Sequence, residues 1–154
     1  MSFFFDRNVS EHLAKMPDAF DRESTVLHQD WDARFERTTD DVTLIETVAA
    51  DEPKPVWCSA DISQRRKRPD ERLALGASGM TAVFLRGGFH SLSYHDQARL
   101  LINVWPNVLL QCATCREPTI FQIGAQVNSM KVERVCLTRD LLLPSPRVRK
   151  SRKR

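Results

Sequence analysis

Short apolar runs along this chain alternate with segments in which apolar residues recur every three or four positions. The first run, SFFF at 2–5, is continuously apolar, which is typical of a strand buried on both faces of a parallel sheet. Residues 9–16 then place apolar side chains at helical spacing; Asn8 or Ser10 would cap that helix and Pro17 would end it. The pattern predicts a buried strand followed by an amphipathic helix.

The same alternation continues along most of the chain. Further strands are predicted at 24–30, 54–61 and 80–88, with a final strand or hairpin at 117–135. Further helices are predicted at 38–52, at a short segment from about Pro69 to Gly76 or Gly79, and at 93–115, where Pro106 should interrupt the helix. Because strands that alternate with helices indicate βαβ units, we expect a three-layer α/β fold with a mainly parallel central sheet.

Basic residues are concentrated at the end of the chain. The 154 residues carry a formal net charge of +3, but six of the 23 basic residues lie in the last ten, SPRVRKSRKR. The rest of the chain holds 17 basic and 20 acidic residues and is mildly acidic. We expect one domain over 1–143 and a tail over 144–154 without packed structure, which either binds polyanions or is dispensable.

The sequence lacks the patterns that direct a chain to or across a membrane. No apolar run approaches the roughly 18 residues of a membrane span. The N-terminus lacks the charged and apolar regions of a signal peptide. These absences favour a cytoplasmic protein without a membrane partner.

Four aspartates fall where an α/β sheet binds its ligands. Asp6 ends the first predicted strand, Asp61 ends the third, and Asp40 and Asp41 open the second helix. All four should lie at the edge formed by the carboxyl ends of the strands. Clustered carboxylates repel one another unless a cation lies between them, and such oxygen ligands suit Mg²⁺ or Mn²⁺. The alternative is that each aspartate is a helix cap or a turn residue.

The order of these segments is similar to that of a known family. The runs FFFDRNVSEHLAKM, VLHQD, DDVTLIETVA and VWCSADIS, followed by RPDERLAL, resemble the PIN-like nuclease superfamily, and most closely its VapC-type toxin branch of bacterial toxin–antitoxin systems. The later runs TAVFLRGG and QARLLINVWPNVL resemble the same branch, so the resemblance covers residues 3–135. It implies a three-layer PIN-like fold and a metal-dependent endoribonuclease that hydrolyses RNA phosphodiesters.

The resemblance assigns roles to individual acids. The family's first and third acids fall on Asp6 and Asp61, which would hold Mg²⁺ or Mn²⁺. Its second acid falls on Asp41 and, less well, on Asp40. Its P-x-E-R pattern falls on PDER at 69–72 and carries no assigned chemical role.

In one respect the chain departs from the wider PIN pattern. Ordinary PIN domains often present a fourth acid near the end of the next strand, where this chain has Arg-Gly-Gly at 86–88. That departure leaves chemistry with a single metal ion open.

RNA would need basic groups beside these acids, because an acidic site repels phosphates. Asn8 could bind a phosphate or a metal-bound water, or cap its own helix. The predicted phosphate-binding residues form a basic run just after Asp61, for which a solvated loop is the alternative: Arg65, Arg66, Lys67 and Arg68.

The resemblance also implies partners. An RNA substrate and a DNA-binding antitoxin protein are expected, and a homodimer is possible in such a family. Two other functions stay open from the sequence. One is a PIN-like module that binds RNA or protein without catalysis; the other is a phosphoryl-transfer enzyme that uses strand-end aspartates.

Overall fold

The structure is a computed structural model and describes residues 1–62 and 68–135. Predictions for Arg65, Arg66, Lys67 and the basic tail lie outside the described residues. The strands are β1 (Ser2–Phe5), β2 (Thr25–His28), β3 (Val56–Ser59), β4 (Ala82–Leu85), β5 (Ile120–Ile123) and β6 (Val132–Val135). The helices are α1 (Glu11–Phe20), α2 (Asp41–Ala49), α3 (Pro69–Ser78) and α4 (Tyr94–Thr114).

These strands form one six-stranded sheet in the order β2-β1-β3-β4-β5-β6. The first five are parallel to their neighbours, and β6 returns antiparallel to β5. The predicted α/β fold with a mainly parallel sheet is confirmed. The final apolar segment is a hairpin rather than a single strand, since its two halves pair through residues 120–123 and 132–135.

Alternate residues of the central strands supply two separate cores. Phe3 and Phe5 of β1 pack with α1 and α4, where Leu13 and Trp105 are buried. Phe4 points to the other face, with Leu44 of α2 and Leu75 of α3. Because successive side chains of a strand point to opposite faces, a continuously apolar strand is the expected sequence for a sheet covered by helices on both sides.

Two prolines lie inside helices, where the sequence predicted breaks. Pro17 is within α1 and Pro106 within α4, and both helices continue past them. The backbone N–H of Asp21 donates to the Pro17 carbonyl at 2.8 Å, so hydrogen bonding resumes beyond the proline. Burial of one apolar helix face outweighs the bond that each proline removes, and the prediction from local propensity was wrong.

The ends of the helices follow ordinary capping chemistry. Ser10, not Asn8, caps α1, since its side chain accepts from the His12 N–H at 3.3 Å. Pro69 stands in the first turn of α3, and Gly79 ends that helix with φ +68° in the left-handed region that favours glycine. No helix in the described part of the chain is long and apolar enough to cross a membrane.

Candidate functional site

The strand order reverses its direction between β1 and β3. The chain moves from β1 outward to β2, then returns to the other side of β1 as β3. In open sheets of this kind the ligand crevice lies outside the carboxyl ends of the two strands at this reversal. Asp6 follows the last residue of β1, and Asp61 lies two residues beyond β3. The sheet therefore brings both predicted acids to the expected place.

Asp6 is a buried carboxylate with a full set of local donors. Its side chain is 1% exposed, and its backbone N–H donates to the Cys58 carbonyl at 3.0 Å. Its two carboxylate oxygens accept from the backbone N–H and the side-chain Nδ2 of Asn8, at 3.0 and 3.2 Å. Burial raises the pKa of Asp6 to about 6, against the lowering effect of hydrogen bonds from Ser59 and Asn8. Asn8 thus orients Asp6 and does not cap α1.

Ser59 is a residue that the sequence reasoning missed. It is fully buried at the end of β3, where its Oγ accepts from the Asp61 backbone N–H at 3.0 Å. The same side chain hydrogen-bonds to the Asp6 carboxylate. One hydroxyl therefore links the two strand-end aspartates. The available signal was a lone polar residue closing an otherwise apolar strand, VWCS.

Arg68 lies where three carboxylates converge. Its Nη1 is 3.1 Å from Asp41 Oδ2 and 3.4 Å from Asp61 Oδ2. The same nitrogen is 3.0 Å from Glu71 Oε1 and 3.3 Å from Glu71 Oε2. These acids come from three segments: the start of α2, the loop after β3 and the first turn of α3. The sequence assigned Arg68 to RNA phosphates; in this structure it contacts carboxylates.

The adjacent aspartates Asp40 and Asp41 have different surroundings. Asp40 is the cap of α2: its carboxylate accepts from the Thr43 N–H at 3.0 Å and from the Thr43 hydroxyl at 2.7 Å. Those bonds lower the pKa of Asp40. Asp41 instead reaches Arg68 and adds to the negative potential that raises the pKa of Asp6. Of the two positions that the sequence left open, Asp41 is the one that lies in the cluster.

Glu71 adds a fourth carboxylate, to which the sequence had assigned no role. Its side chain is 13% exposed, and burial raises its pKa while the hydrogen bond from Arg68 opposes the rise. The charges of Asp41 and Asp61 also raise the pKa of Glu71, which places the three acids within electrostatic reach of one another. The chain lacks an acid at the end of β4, but α3 supplies one to the same cluster.

The donor set fits a hard divalent cation in its chemistry. Carboxylate oxygens are the ligands that Mg²⁺ and Mn²⁺ prefer, and three of these groups already converge on one positive charge. In the described ranges 1–62 and 68–135, no group of three or more His, Cys, Asp or Glu side chains is arranged so as to hold a metal ion. The carboxylates are spaced around the guanidinium of Arg68.

Two of the clefts along this edge of the sheet are lined by several charged side chains. The first, here called the acidic cleft, has a volume of about 370 Å³, and its charged lining residues are Asp40, Asp41, Arg68, Asp70 and Glu71. The second, here called the basic cleft, has a volume of about 390 Å³ and lies beyond the ends of β4 and β5; its charged residues are Arg86, Lys131 and Glu133. A mainly acidic lining and a mainly basic lining therefore belong to two separate clefts of similar volume.

Comparison with known proteins identifies the first part of the chain. A family model described as a PIN-like domain matches residues 1–87, more than half of the 154. The matched segment carries β1 to β4 and all four acids of the cluster, and it ends before the hairpin of β5 and β6. Neither the curated proteins nor the solved structures give a match.

Proposed function

The chain belongs to the PIN-like domain family, a nuclease superfamily, and on this premise we propose that it is a metal-dependent endoribonuclease that serves as the toxin of a toxin–antitoxin pair. One observation carries the catalytic part of the proposal. Four carboxylates from four separate segments gather at the strand reversal between β1 and β3, and three of them surround one cationic point. An aspartate that only capped a helix or closed a turn would not need other carboxylates close to it.

In this proposal Asp6, Asp41, Asp61 and Glu71 hold Mg²⁺ or Mn²⁺. When bound, the ion lowers the pKa of a water molecule and offsets the charge that builds on the scissile phosphate. Asn8 and Ser59 act on Asp6: their hydrogen bonds fix its carboxylate and favour the ionised form that a cation needs.

The most exposed of these acids is suited to the attacking water. The Asp41 side chain is 32% exposed, against 20% for Asp61 and 13% for Glu71, and it borders the acidic cleft. A carboxylate at that position can accept a hydrogen bond from water and orient it toward a bound phosphate. The other acids lie deeper and would serve as metal ligands only, whereas Asp41 would bind the ion with one oxygen and orient the water with the other.

The RNA backbone is held by basic groups outside the acidic cleft. Arg86 and Lys131 in the basic cleft share a single acid, Glu133, at 3.7 and 2.9 Å, so the cleft keeps one excess positive charge. Strand β3, which Asp61 follows, and strand β5, whose end borders the basic cleft, are two strand spacings or about 10 Å apart. One RNA strand could therefore occupy both. The basic run at 65–67 and the tail would add to this attraction.

The toxin role rests on the resemblance to the VapC-type branch. A small DNA-binding antitoxin that covers the acidic edge, and a homodimer, are the partners that this part of the proposal implies. A PIN-like binding module without catalysis is the second candidate. The contacts of Arg68 favour this second candidate. A guanidinium among carboxylates compensates part of their negative charge, and it does so equally in a protein that never binds a metal ion.

A cleavage assay separates these two functions. Wild type and Asp6→Asn are incubated with a structured RNA in Mn²⁺ and in EDTA. We expect cleavage that needs both the metal ion and Asp6. The matched control is Asp18→Asn, which removes one carboxylate from an exposed position on α1 and should cleave like wild type. An RNA that stays intact with wild type in every divalent metal tested would favour the binding module.

A further inference from the structure

Among the described residues, the carboxylate partners of Arg68 all contact one of its nitrogens, Nη1. A guanidinium normally pairs with one carboxylate through two parallel N–H bonds. Here Nη1, which carries two hydrogens, lies within 3.0–3.4 Å of oxygens from Asp41, Asp61 and Glu71. Such an arrangement places positive charge at the centre of the carboxylates and is poor directional hydrogen bonding. The nitrogen occupies the position that a small cation would take among the same oxygens.

Within the described ranges, the charge of Arg68 alone does not balance the three carboxylates around it. Three carboxylates surround Nη1 and Asp6 lies within electrostatic reach of Asp41, whereas the guanidinium supplies one positive charge. A divalent cation supplies two charges at a smaller radius and binds up to six oxygens. The oxygens that hold Arg68 would therefore bind such an ion in preference to the guanidinium.

The Arg68 side chain can leave without disturbing the fold. It is 49% exposed, and it lines the open acidic cleft. Arg68 stands at the start of α3 with an extended backbone, and its side chain makes no capping hydrogen bond to that helix. Ion pairs as exposed as this one hold a side chain weakly, because water competes for both partners.

From these observations we infer that Arg68 is an internal counter-ion, which holds the carboxylates of Asp41, Asp61 and Glu71 together in the metal-free protein and is displaced when a divalent cation binds. The inference rests on the proposed metal site. In the metal-free protein, before a divalent cation binds, Arg68 holds the three carboxylates in place. The displaced guanidinium would then face the acidic cleft, where an RNA phosphate is the available anion. Arg68 would thus bind carboxylates in the free protein and phosphate in the loaded one.

The test is a titration with Mn²⁺, followed by the electron paramagnetic resonance of the free ion, on the full chain without RNA. Arg68→Gln removes the competing charge and should bind Mn²⁺ about tenfold more tightly than wild type. Arg68→Lys keeps a point charge of the same sign and should bind within about twofold of wild type. Thermal unfolding in EDTA and in Mn²⁺ gives a second readout: the rise in Tm on adding Mn²⁺ should be largest for Arg68→Gln.

Arg99 provides a matched control. Its side chain is also 49% exposed, and it pairs at 3.4 Å with an acid three residues away, Asp96. Arg99→Gln changes the net charge of the protein by the same amount, so it should leave Mn²⁺ affinity within about twofold of wild type. A tenfold gain in both variants would mean a general charge effect and would overturn the inference.

The remaining outcomes separate this inference from the proposed function. Unchanged Mn²⁺ affinity in Arg68→Gln, with wild type binding the ion, overturns the counter-ion role and leaves the metal site intact. Weaker binding in that variant overturns it too, since Arg68 would then help to position the ligands. If neither wild type nor Arg68→Gln binds Mn²⁺ at millimolar concentration, the metal site itself is absent and both proposals fail.

Discussion

The acidic cleft and the basic cleft occupy the same edge of one sheet but differ in where their side chains come from. The acids clustered at the first, of which Asp41 and Glu71 line the cleft itself, follow β1 and β3 or open α2 and α3, so four segments are needed to bring them together. The charges of the second come from the end of β4 and from the hairpin of β5 and β6. The first therefore depends on the topology of the whole sheet and the second mainly on one local turn.

Burial separates the two clefts further. In the acid cluster Asp6 is buried together with Ser59, and Glu71, which lines the acidic cleft, is 13% exposed. In the basic cleft Lys131 is 73% exposed, and Glu133 is 41% exposed. A buried, hydrogen-bonded acid is held in one position, whereas an exposed lysine can follow its ligand. The difference suits reaction at the first cleft and attraction of a polyanion at the second.

The comparison predicts its largest effect at two adjacent aspartates. Asp41→Asn removes a carboxylate that contacts Arg68, and cleavage of RNA in Mn²⁺ should fall about 1000-fold, the order expected when a group that stabilises the transition state through a metal is lost. Asp40→Asn is the matched control, because asparagine also caps helices. Cleavage by Asp40→Asn should stay within about twofold of wild type.

The Asp40 and Asp41 variants are measured as single-turnover rates on one RNA. Equal losses in the two variants would contradict the separation of cap from ligand. Equal retention of activity would remove Asp41 from the site and leave Asp6, Asp61 and Glu71 to account for the chemistry.

How far the site could be predicted differs from residue to residue. The sequence placed Asp6 and Asp61 correctly at the carboxyl edge of the sheet. A continuously apolar run is readily recognised as a buried strand, and the residues that follow such a strand lie at that edge. The convergence on Arg68 could not be predicted in the same way. Arg68 meets Asp41 across 27 residues of sequence, and that contact depends on how α2 packs against α3.

Local rules fail where packing overrides them. The sequence left open whether Asp40 is the cap of α2 or the second acid of the site; the bonds to Thr43 show that it is the cap. Pro17 and Pro106 would break isolated helices, but the helices that contain them each bury an apolar face. For the prolines the deciding interaction lies outside the window that a sequence pattern covers, whereas the bonds of Asp40 to Thr43 span only three residues.

A smaller effect, about 3 kcal/mol, is expected from the pH dependence of stability. Burial raises the pKa of Asp6 from 3.8 to about 6, so its contribution to the free energy of unfolding is complete below pH 3.8 and is lost as the pH rises through 6. The contribution of Glu133, in the basic cleft, depends on pH in the opposite direction. The hydrogen bond from Lys131 lowers the pKa of Glu133, so the stability that this residue adds is lost as the pH falls.

Urea unfolding of metal-free wild type and Asp6→Asn between pH 4 and 7 isolates the Asp6 effect. The difference in the free energy of unfolding, wild type minus variant, should fall by about 2 kcal/mol across this range, because the other carboxylates are common to both proteins. A difference that does not change with pH would mean that Asp6 is not a buried, desolvated acid. Mn²⁺ at pH 7 should restore stability to wild type only.

The smallest effect is expected from the basic cleft. Arg86→Gln with Lys131→Gln removes two cations, and the affinity for a non-cleaved RNA in EDTA at low salt should fall about tenfold while Mn²⁺ affinity stays unchanged. The slope of log affinity against log salt should decrease by about 1.4, the value for two phosphate contacts on a single strand. Because the basic tail can mask this loss, the measurement is repeated in a chain that lacks residues 145–154. An unchanged slope in both backgrounds would show that RNA does not occupy the basic cleft, and the two clefts would then have no shared ligand.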